Sequence, residues 1–259
     1  MVTLEEMSSL INHTFPPDLS PIFNQKLGNQ LADTHAAIAS LNQMSKLLHN
    51  PNLLMRPILA KEAESSAQLE GTQASVEDAY KVDIAEQTPE KRIEAIEIKN
   101  YEEAMLSGIS ILEKTAVTPL LIREIHKKLM QGVRGKEKHP GEFRKGEVWI
   151  GIHGTTKDQA RYLPPEPTHI PELMEQLNQF IKDRGKIHPL LACAIIHHRF
   201  EAIHPFEDGN GRTGRLLISL FLISQNLLDM PILYPSGYFE KNKDAYINAL
   251  SLVDTKEDW

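Results

Sequence analysis

The stretch HPFEDGNGRTGR, His204–Arg215, puts one histidine, two acids, three glycines, one asparagine and two arginines into twelve consecutive positions. It lies between two apolar runs, LLACAII before it and LLISLFLI after it, whose composition suits buried helices. Such a cluster between two core helices is a surface turn, a histidine metal site or a cradle for a phosphorylated ligand. The glycines around Asn210 leave backbone amides open where the second helix begins, and unpaired N–H groups at the positive end of a helix suit phosphate oxygens. Arg212 and Arg215 are three residues apart and share one side of the first turn. Cations at that end oppose the helix dipole by about 0.3–1 kcal/mol each unless an anion offsets them. The guanidinium fork fits phosphate or carboxylate in two places at once. The competing account of these arginines is pairing with Glu201 or Glu207.

The metal-site account is weaker. His197, His198 and His204 include no i,i+4 pair of the kind that binds zinc on one helix face, and Cys193 is the only cysteine. His197 and His198 read as core or boundary histidines. Asp208 differs, because a lone carboxylate beside phosphates is a common way to hold Mg²⁺, with substrate oxygens and water completing the shell. His204, neutral at neutral pH and fixed beside the cradle, has the chemistry of a general base. Phe206 reads as an inward anchor.

Around this centre the chain has 259 residues, 41% of them apolar, a formal charge of -7 and a pI near 5.9. That length predicts one core carrying an accessory segment. The acidic balance argues against general nucleic-acid binding. A single cysteine among apolar neighbours predicts a buried, inert thiol and a reducing compartment. The opening residues MVTLEEMSSLINHTF lack the basic start of a secretory leader, and no apolar run reaches membrane-spanning length. The expectation is a cytoplasmic protein with no membrane partner.

Helical signals dominate. Thr88–Pro89 and Thr118–Pro119 each pair an N-cap with proline at the first helical position, and Gly132 and Gly185 mark two stops. A helix is expected from Pro57 to Gly71, another upstream of it, and an N-cap at Ser75. The exception is residues 140–167, PGEFRKGEVWIGIHGTTKDQARYLPPEP, which lack helical period and carry the β-prone run Val148, Trp149, Ile150. A short hairpin leaning on the helical body is expected there.

The motif matches at every fixed position the signature HPFx[D/E]GNGRxxR of the Fic family, and PGEFR, VWIG, YLPP and HHRFEAIHPF also resemble that family over most of residues 50–258. The resemblance implies an all-α Fic-fold bundle with a small hairpin flap at about 141–163, packed N-terminal helices, and a division into a helical region 1–97 and a Fic domain 98–259. It implies transfer of AMP from ATP to a Ser, Thr or Tyr hydroxyl of a protein, self-modification included. By motif position His204 would be the base and Asp208 would hold Mg²⁺. Gly209, Asn210 and Gly211 would form the anion hole, Arg212 and Arg215 would meet the phosphates, and Thr213 and Gly214 would complete the nucleotide-binding stretch. Tyr246 stands where relatives place an aromatic near adenine. Val148, Trp149, Ile150 and Gly151 would pair with a protein substrate as an added strand.

SAQLEG, Ser66–Gly71, resembles the family's inhibitory motif [S/T]xxxE[G/N]. Ser66 and Glu70 are i,i+4 and share a helix face, and the resemblance implies that Glu70 pairs with Arg215 and restrains the enzyme. Two alternatives stay open: Glu70-assisted removal of AMP, and a non-catalytic module whose nucleotide binding changes partner affinity. The sequence does not give the oligomeric state, so homo-oligomers remain open.

Overall fold

The computed structural model describes residues 10, 13–83, 87–133, 138–151 and 156–259. Its regular structure is helical: α1 (Gln25–Leu47), α2 (Asn52–Leu69), α3 (Val76–Lys81), α4 (Pro89–Leu112), α5 (Pro119–Leu129), α6 (Ile170–Lys182), α7 (Pro189–Ile203), α8 (Asn210–Ser224), α9 (Pro235–Lys241) and α10 (Lys243–Lys256). Asn24, Ser75, Thr88 and Thr118 each accept an amide hydrogen bond from the first turn that follows, and Ser75 closes a reciprocal box with Asp78. Pro89 and Pro119 fill first-turn positions where no N–H is needed.

The helix expected from Pro57 instead begins at Asn52 and carries Pro57 in its second turn. Proline there removes one bond to the Leu53 carbonyl. Leu53 is 75% exposed, so water can take that carbonyl. The far end of α2 matches expectation: Gly71 adopts φ +96°, its N–H meets Gln68 C=O at 3.0 Å and Thr72 N–H meets Ala67 C=O at 3.2 Å. This double closure stops the helix at Glu70.

Helix α8 is the centre of the molecule, with every residue from Arg212 to Leu222 buried. It packs on α7, to which the loop 204–209 joins it, and on α4 and α5, while α6 covers α7 and α2 lies against α4 and α9. One buried cluster runs from Leu59 and Ala63 of α2 through Ile98 and Met105 of α4 to Phe200, Phe206 and Phe221. The division drawn at 97/98 falls inside α4, which both parts share, so it is no structural boundary. Helix α1 is mostly exposed and is tied down through Asn42, whose side chain bonds Leu227 C=O and Asp229 N–H.

The expected hairpin is smaller than its sequence suggests. Ile150 and Tyr162 exchange both backbone bonds, at 3.0 and 3.1 Å, as a single antiparallel bridge, and no strand forms among the described residues. The tip of the flap, residues 152–155, lies outside the described residues. No helix among those described is long and apolar enough to cross a membrane.

Candidate active site

The motif loop is held from both sides. His204 caps α7 in the left-handed region, φ 49° and ψ 60°, which costs a non-glycine residue about 1–2 kcal/mol. Arg144, buried behind it, supplies the restraint. Its Nε donates to His204 C=O at 2.8 Å, its guanidinium reaches Gly146 C=O and Pro165 C=O, and its backbone N–H meets Pro205 C=O at 2.9 Å. On the other side the His126 ring stacks on Phe206 with centroids 3.7 Å apart, so Phe206 is the inward anchor its apolar character suggests. Gly141 N–H donates to His126 Nδ1 at 2.8 Å, which leaves Nε2–H to donate to Asp208 C=O at 2.9 Å. Burial pushes the His126 pKa down to about 4, so the ring is neutral and fits that tautomer.

Within the loop, Asn210 accepts from Phe206 N–H and donates to Phe206 C=O, both at 2.9 Å. Thr213 Oγ1 donates to Gly209 C=O at 2.8 Å. Gly209 takes φ +75°, and a Cβ there would stand 2.7 Å from Met130 Sδ. These contacts show how the side chains of the expected nucleotide-binding stretch are used. The Asn210 and Thr213 side chains bond the loop itself, Gly214 packs against Glu201 and the Gly209 N–H meets Asp208 Oδ1, so what the start of α8 offers an anion is the backbone amides of Asn210 and Gly211.

Glu70, Ile150, His204, Gly211, Arg215 and Tyr246 come together around a cavity of about 210 Å³. His204 Nδ1 lies 3.3 Å from Glu201 C=O, and Nε2 makes no hydrogen bond among the described residues. Burial pushes the His204 pKa down to about 4, so the imidazole is neutral at pH 7 with Nε2 as its basic atom. Arg215 is 2% exposed. Its Nε donates to Ser66 Oγ at 2.8 Å, and Nη2 donates to Ser66 C=O at 2.9 Å and to Glu70 Oε1 at 2.7 Å. A Cβ on Gly211 would collide with Glu70 Oε1, so the Glu70 carboxylate lies against the first turn of α8. Loss of water raises the Glu70 pKa, but the Arg215 and Arg212 charges outweigh it and hold the carboxyl below the usual glutamate range.

Arg212 is 5% exposed and only partly satisfied among the described residues, with Nη2 donating to Met130 Sδ at 3.7 Å. Its nearest carboxylates, on Glu97 and Asp208, are 3.8 and 3.9 Å away, and its Nε and Nη1 have no hydrogen-bond partner among the described residues. The acids weighed as its partners, Glu201 and Glu207, are not the ones it meets. A buried guanidinium in that condition calls for an anion. Asp208 stands at the rim, 37% exposed, with Oδ1 accepting from Gly209 N–H and Oδ2 3.3 Å from Lys138 Nζ. The described residues contain no group of three or more His, Cys, Asp or Glu able to hold a metal. A single accessible carboxylate fits Mg²⁺ shared with phosphate and water, and does not fit an all-protein cage.

Of the two expected core histidines, His197 is satisfied at both nitrogens, while His198 is paired through Nε2 only and its buried Nδ1 has no hydrogen-bond partner among the described residues. His197 Nδ1 is 3.1 Å from Gly214 C=O and Nε2 is 2.8 Å from Tyr246 Oη, while His198 meets Asp254 at 3.0 Å. Tyr246 also stacks on Phe239 at 4.4 Å, so one ring face is already covered. In the flap Trp149 is 45% exposed, and the bridge pairing of Ile150 turns the peptide groups flanking it, toward Val148 and Gly151, to the opposite edge. Cys193 is buried, and burial pushes its thiol up to about 12, in keeping with an inert role.

Sequence reasoning assigned no role to His126 and weighed Glu201 only as a partner of the motif arginines. Their positions are set by long-range packing and carry no local signal. Arg144 was legible only as part of PGEFR. The Glu201 carboxyl is pushed up to about 7 by burial, and its Oε1 has no hydrogen-bond partner among the described residues.

Two family models match this chain, one described as Fic/DOC family over residues 116–222 and one as Fic/DOC family N-terminal over residues 29–110. The chain belongs to the Fic/DOC family. The break between the two matches, after residue 110, falls at the end of α4. The chain is 30% identical over 147 residues to a protein named protein adenylyltransferase Fic from Drosophila erecta, a match covering 56% of this chain and 26% of that protein. It thus spans about a quarter of the length of the curated relatives it matches. The fold is similar to that of a Fic family protein from Desulfovibrio desulfuricans G20, with a TM-score of 0.77 and 23% identity over 95% of this chain and 70% of that one. A Fic domain containing signaling protein from Bacteroides thetaiotaomicron gives 0.68 and 20% identity, covering 86% and 82%.

Proposed function

We propose that this chain is a protein adenylyltransferase that transfers AMP from ATP to a protein hydroxyl and is restrained by its own Glu70. The observation that carries the reading is the sharing of one cavity by His204 Nε2, the open first turn of α8, Arg215 and the Glu70 carboxylate. A carboxylate already paired with Arg215 and packed against Gly211 marks that turn as an anion site, and the buried Arg212 beside it, with Nε and Nη1 lacking hydrogen bonds among the described residues, adds to the case. The reading of the anion as a nucleoside triphosphate attacked at its α-phosphorus is supported by the name protein adenylyltransferase that the relatives carry.

In this mechanism the phosphates lie along the amides of Asn210 and Gly211 with Arg212 and Arg215 as counter-charges, a preorganised arrangement that needs no covalent help from the protein. The target segment lies along Val148–Gly151 as an added strand, which recognises backbone and presents a Ser, Thr or Tyr hydroxyl toward His204. His204 Nε2 takes the hydroxyl proton as the new O–P bond forms and the bond to the diphosphate breaks. The Glu201 carbonyl holds the opposite ring nitrogen and keeps the lone pair directed into the cavity. Mg²⁺, held by Asp208 and phosphate oxygens, would supply charge neutralisation on the leaving diphosphate. Glu70 restrains the reaction by occupying Arg215 and the space above Gly211, which a terminal phosphate needs.

The test follows label from α-labelled and γ-labelled ATP into protein in the Glu70→Gly background, with and without His204→Ala. Incorporation of the α-label alone, lost on His204→Ala, is expected. Nucleotide binding with no incorporation by any variant would overturn the assignment in favour of a non-catalytic binding module.

A further inference from the structure

An α-helix leaves its last four carbonyls without intrahelical partners, and at the end of α2 each has found another. Ala67 C=O is met by Thr72 N–H at 3.2 Å and Gln68 C=O by Gly71 N–H at 3.0 Å, both local to the turn. The other two partners come from distant helices. Ser66 C=O accepts from Arg215 at 2.9 Å, and Leu69 C=O accepts from Lys243 Nζ at 2.7 Å. Lys243 is the first residue of α10, where its charge opposes the dipole of its own helix. The C-terminus of α2 is a negative end, so the ammonium is favoured there. Lys243 also borders the cavity that holds Glu70 and Arg215.

The rest of α2 cannot move easily. Glu62 is 1% exposed and accepts from Tyr101 Oη at 3.1 Å and from Ser236 N–H at 2.9 Å, while the Ser65 and Tyr234 hydroxyls lie 2.6 Å apart. Any motion that lifts Glu70 is therefore confined to the last turn. There, Lys243 is the charged tether among the described residues that reaches a backbone carbonyl from a distant helix without involving Arg215.

We propose that Lys243 is a positioning residue that latches the last turn of α2 over the cleft, so that withdrawal of its ammonium from Leu69 C=O frees Glu70 from Arg215. The catalytic consequence rests on the restraint described above, whereas the latch itself is a structural statement that can be tested alone.

The experiment pairs Lys243→Met, which cannot donate, with Lys243→Arg, which can, in the full chain. Hydrogen exchange is read without nucleotide at the amides of Gly71 and Thr72. Loss of a charge-assisted bond should speed exchange at that turn by about tenfold in Lys243→Met and leave Lys243→Arg near the parent. AMP transfer should rise by about the same factor in Lys243→Met, while adding Lys243→Met to Glu70→Gly should change it less than about twofold. Unchanged exchange at the end of α2 in Lys243→Met overturns the latch, as does equal stimulation with and without Glu70. Absence of AMP transfer from every variant would sink the enzymatic reading, and the exchange result would still decide the latch.

Discussion

Replacing His126 with phenylalanine isolates what holds the motif loop in place. Phenylalanine keeps the volume and the stack on Phe206 but loses both ring nitrogens, stranding Gly141 N–H and Asp208 C=O, which His126 now meets at 2.8 and 2.9 Å. The amide is buried and the carbonyl partly so. Stranding a buried polar group costs about 1–3 kcal/mol, so the pair should cost about 2–4 kcal/mol, a large share of the 5–15 kcal/mol typical of a folded protein. At about 2–4 °C per kcal/mol for a chain of this size, the thermal midpoint should fall by about 4–16 °C. His126→Gln, with one donor and one acceptor, should recover part of the loss. Urea unfolding monitored by circular dichroism measures the difference directly. A His126→Phe protein within about 0.5 kcal/mol of the parent would refute the idea that these two bonds fix the loop.

Arg144→Lys keeps the charge but cannot span the carbonyls of His204, Gly146 and Pro165. With the base displaced by a fraction of an ångström, kcat in the Glu70→Gly background should drop by about 10–100-fold while the KM for ATP changes little; equal changes in both constants would place Arg144 in nucleotide binding instead. Burial lowers the His204 pKa to about 4, so the basic form persists as pH falls and is lost only near that value. The acidic limb that His204 contributes to the kcat/KM profile of Glu70→Gly should therefore lie near pH 4 and not at the ordinary histidine value near 6.5.

The helical skeleton was legible because caps and prolines are local signals, as Thr88–Pro89 and Thr118–Pro119 illustrate. Pro57 misled because a proline in the second turn forfeits only a solvent-facing bond, which no sequence rule prices. The flap sequence promised a hairpin, but Arg144 takes the carbonyls of Gly146 and Pro165, and one bridge remains. At the site, residue types announced an anion cradle, and the pairing of Glu70 with Arg215 appears as the resemblance implied. Which side chains of the motif face inward was not legible, because Asn210, Thr213 and Gly214 are committed by contacts that exist only once α7 and α8 have packed. His126 and Lys243 lie 82 and 174 positions from their loop and helix-end partners, beyond any periodicity.

The central claim is that the carboxylate on α2 withholds Arg215 and the space above Gly211 from the nucleotide. The direct measurement is the rate of AMP incorporation from α-labelled ATP by the parent and by Glu70→Gly at matched concentration, with ATP affinity taken alongside. Breaking a charge-assisted contact of about 1.5–3 kcal/mol should raise the rate by about 10–150-fold, with the Glu70→Gly protein remaining folded because Ser66 still holds Arg215. Equal rates in the two proteins would contradict the account.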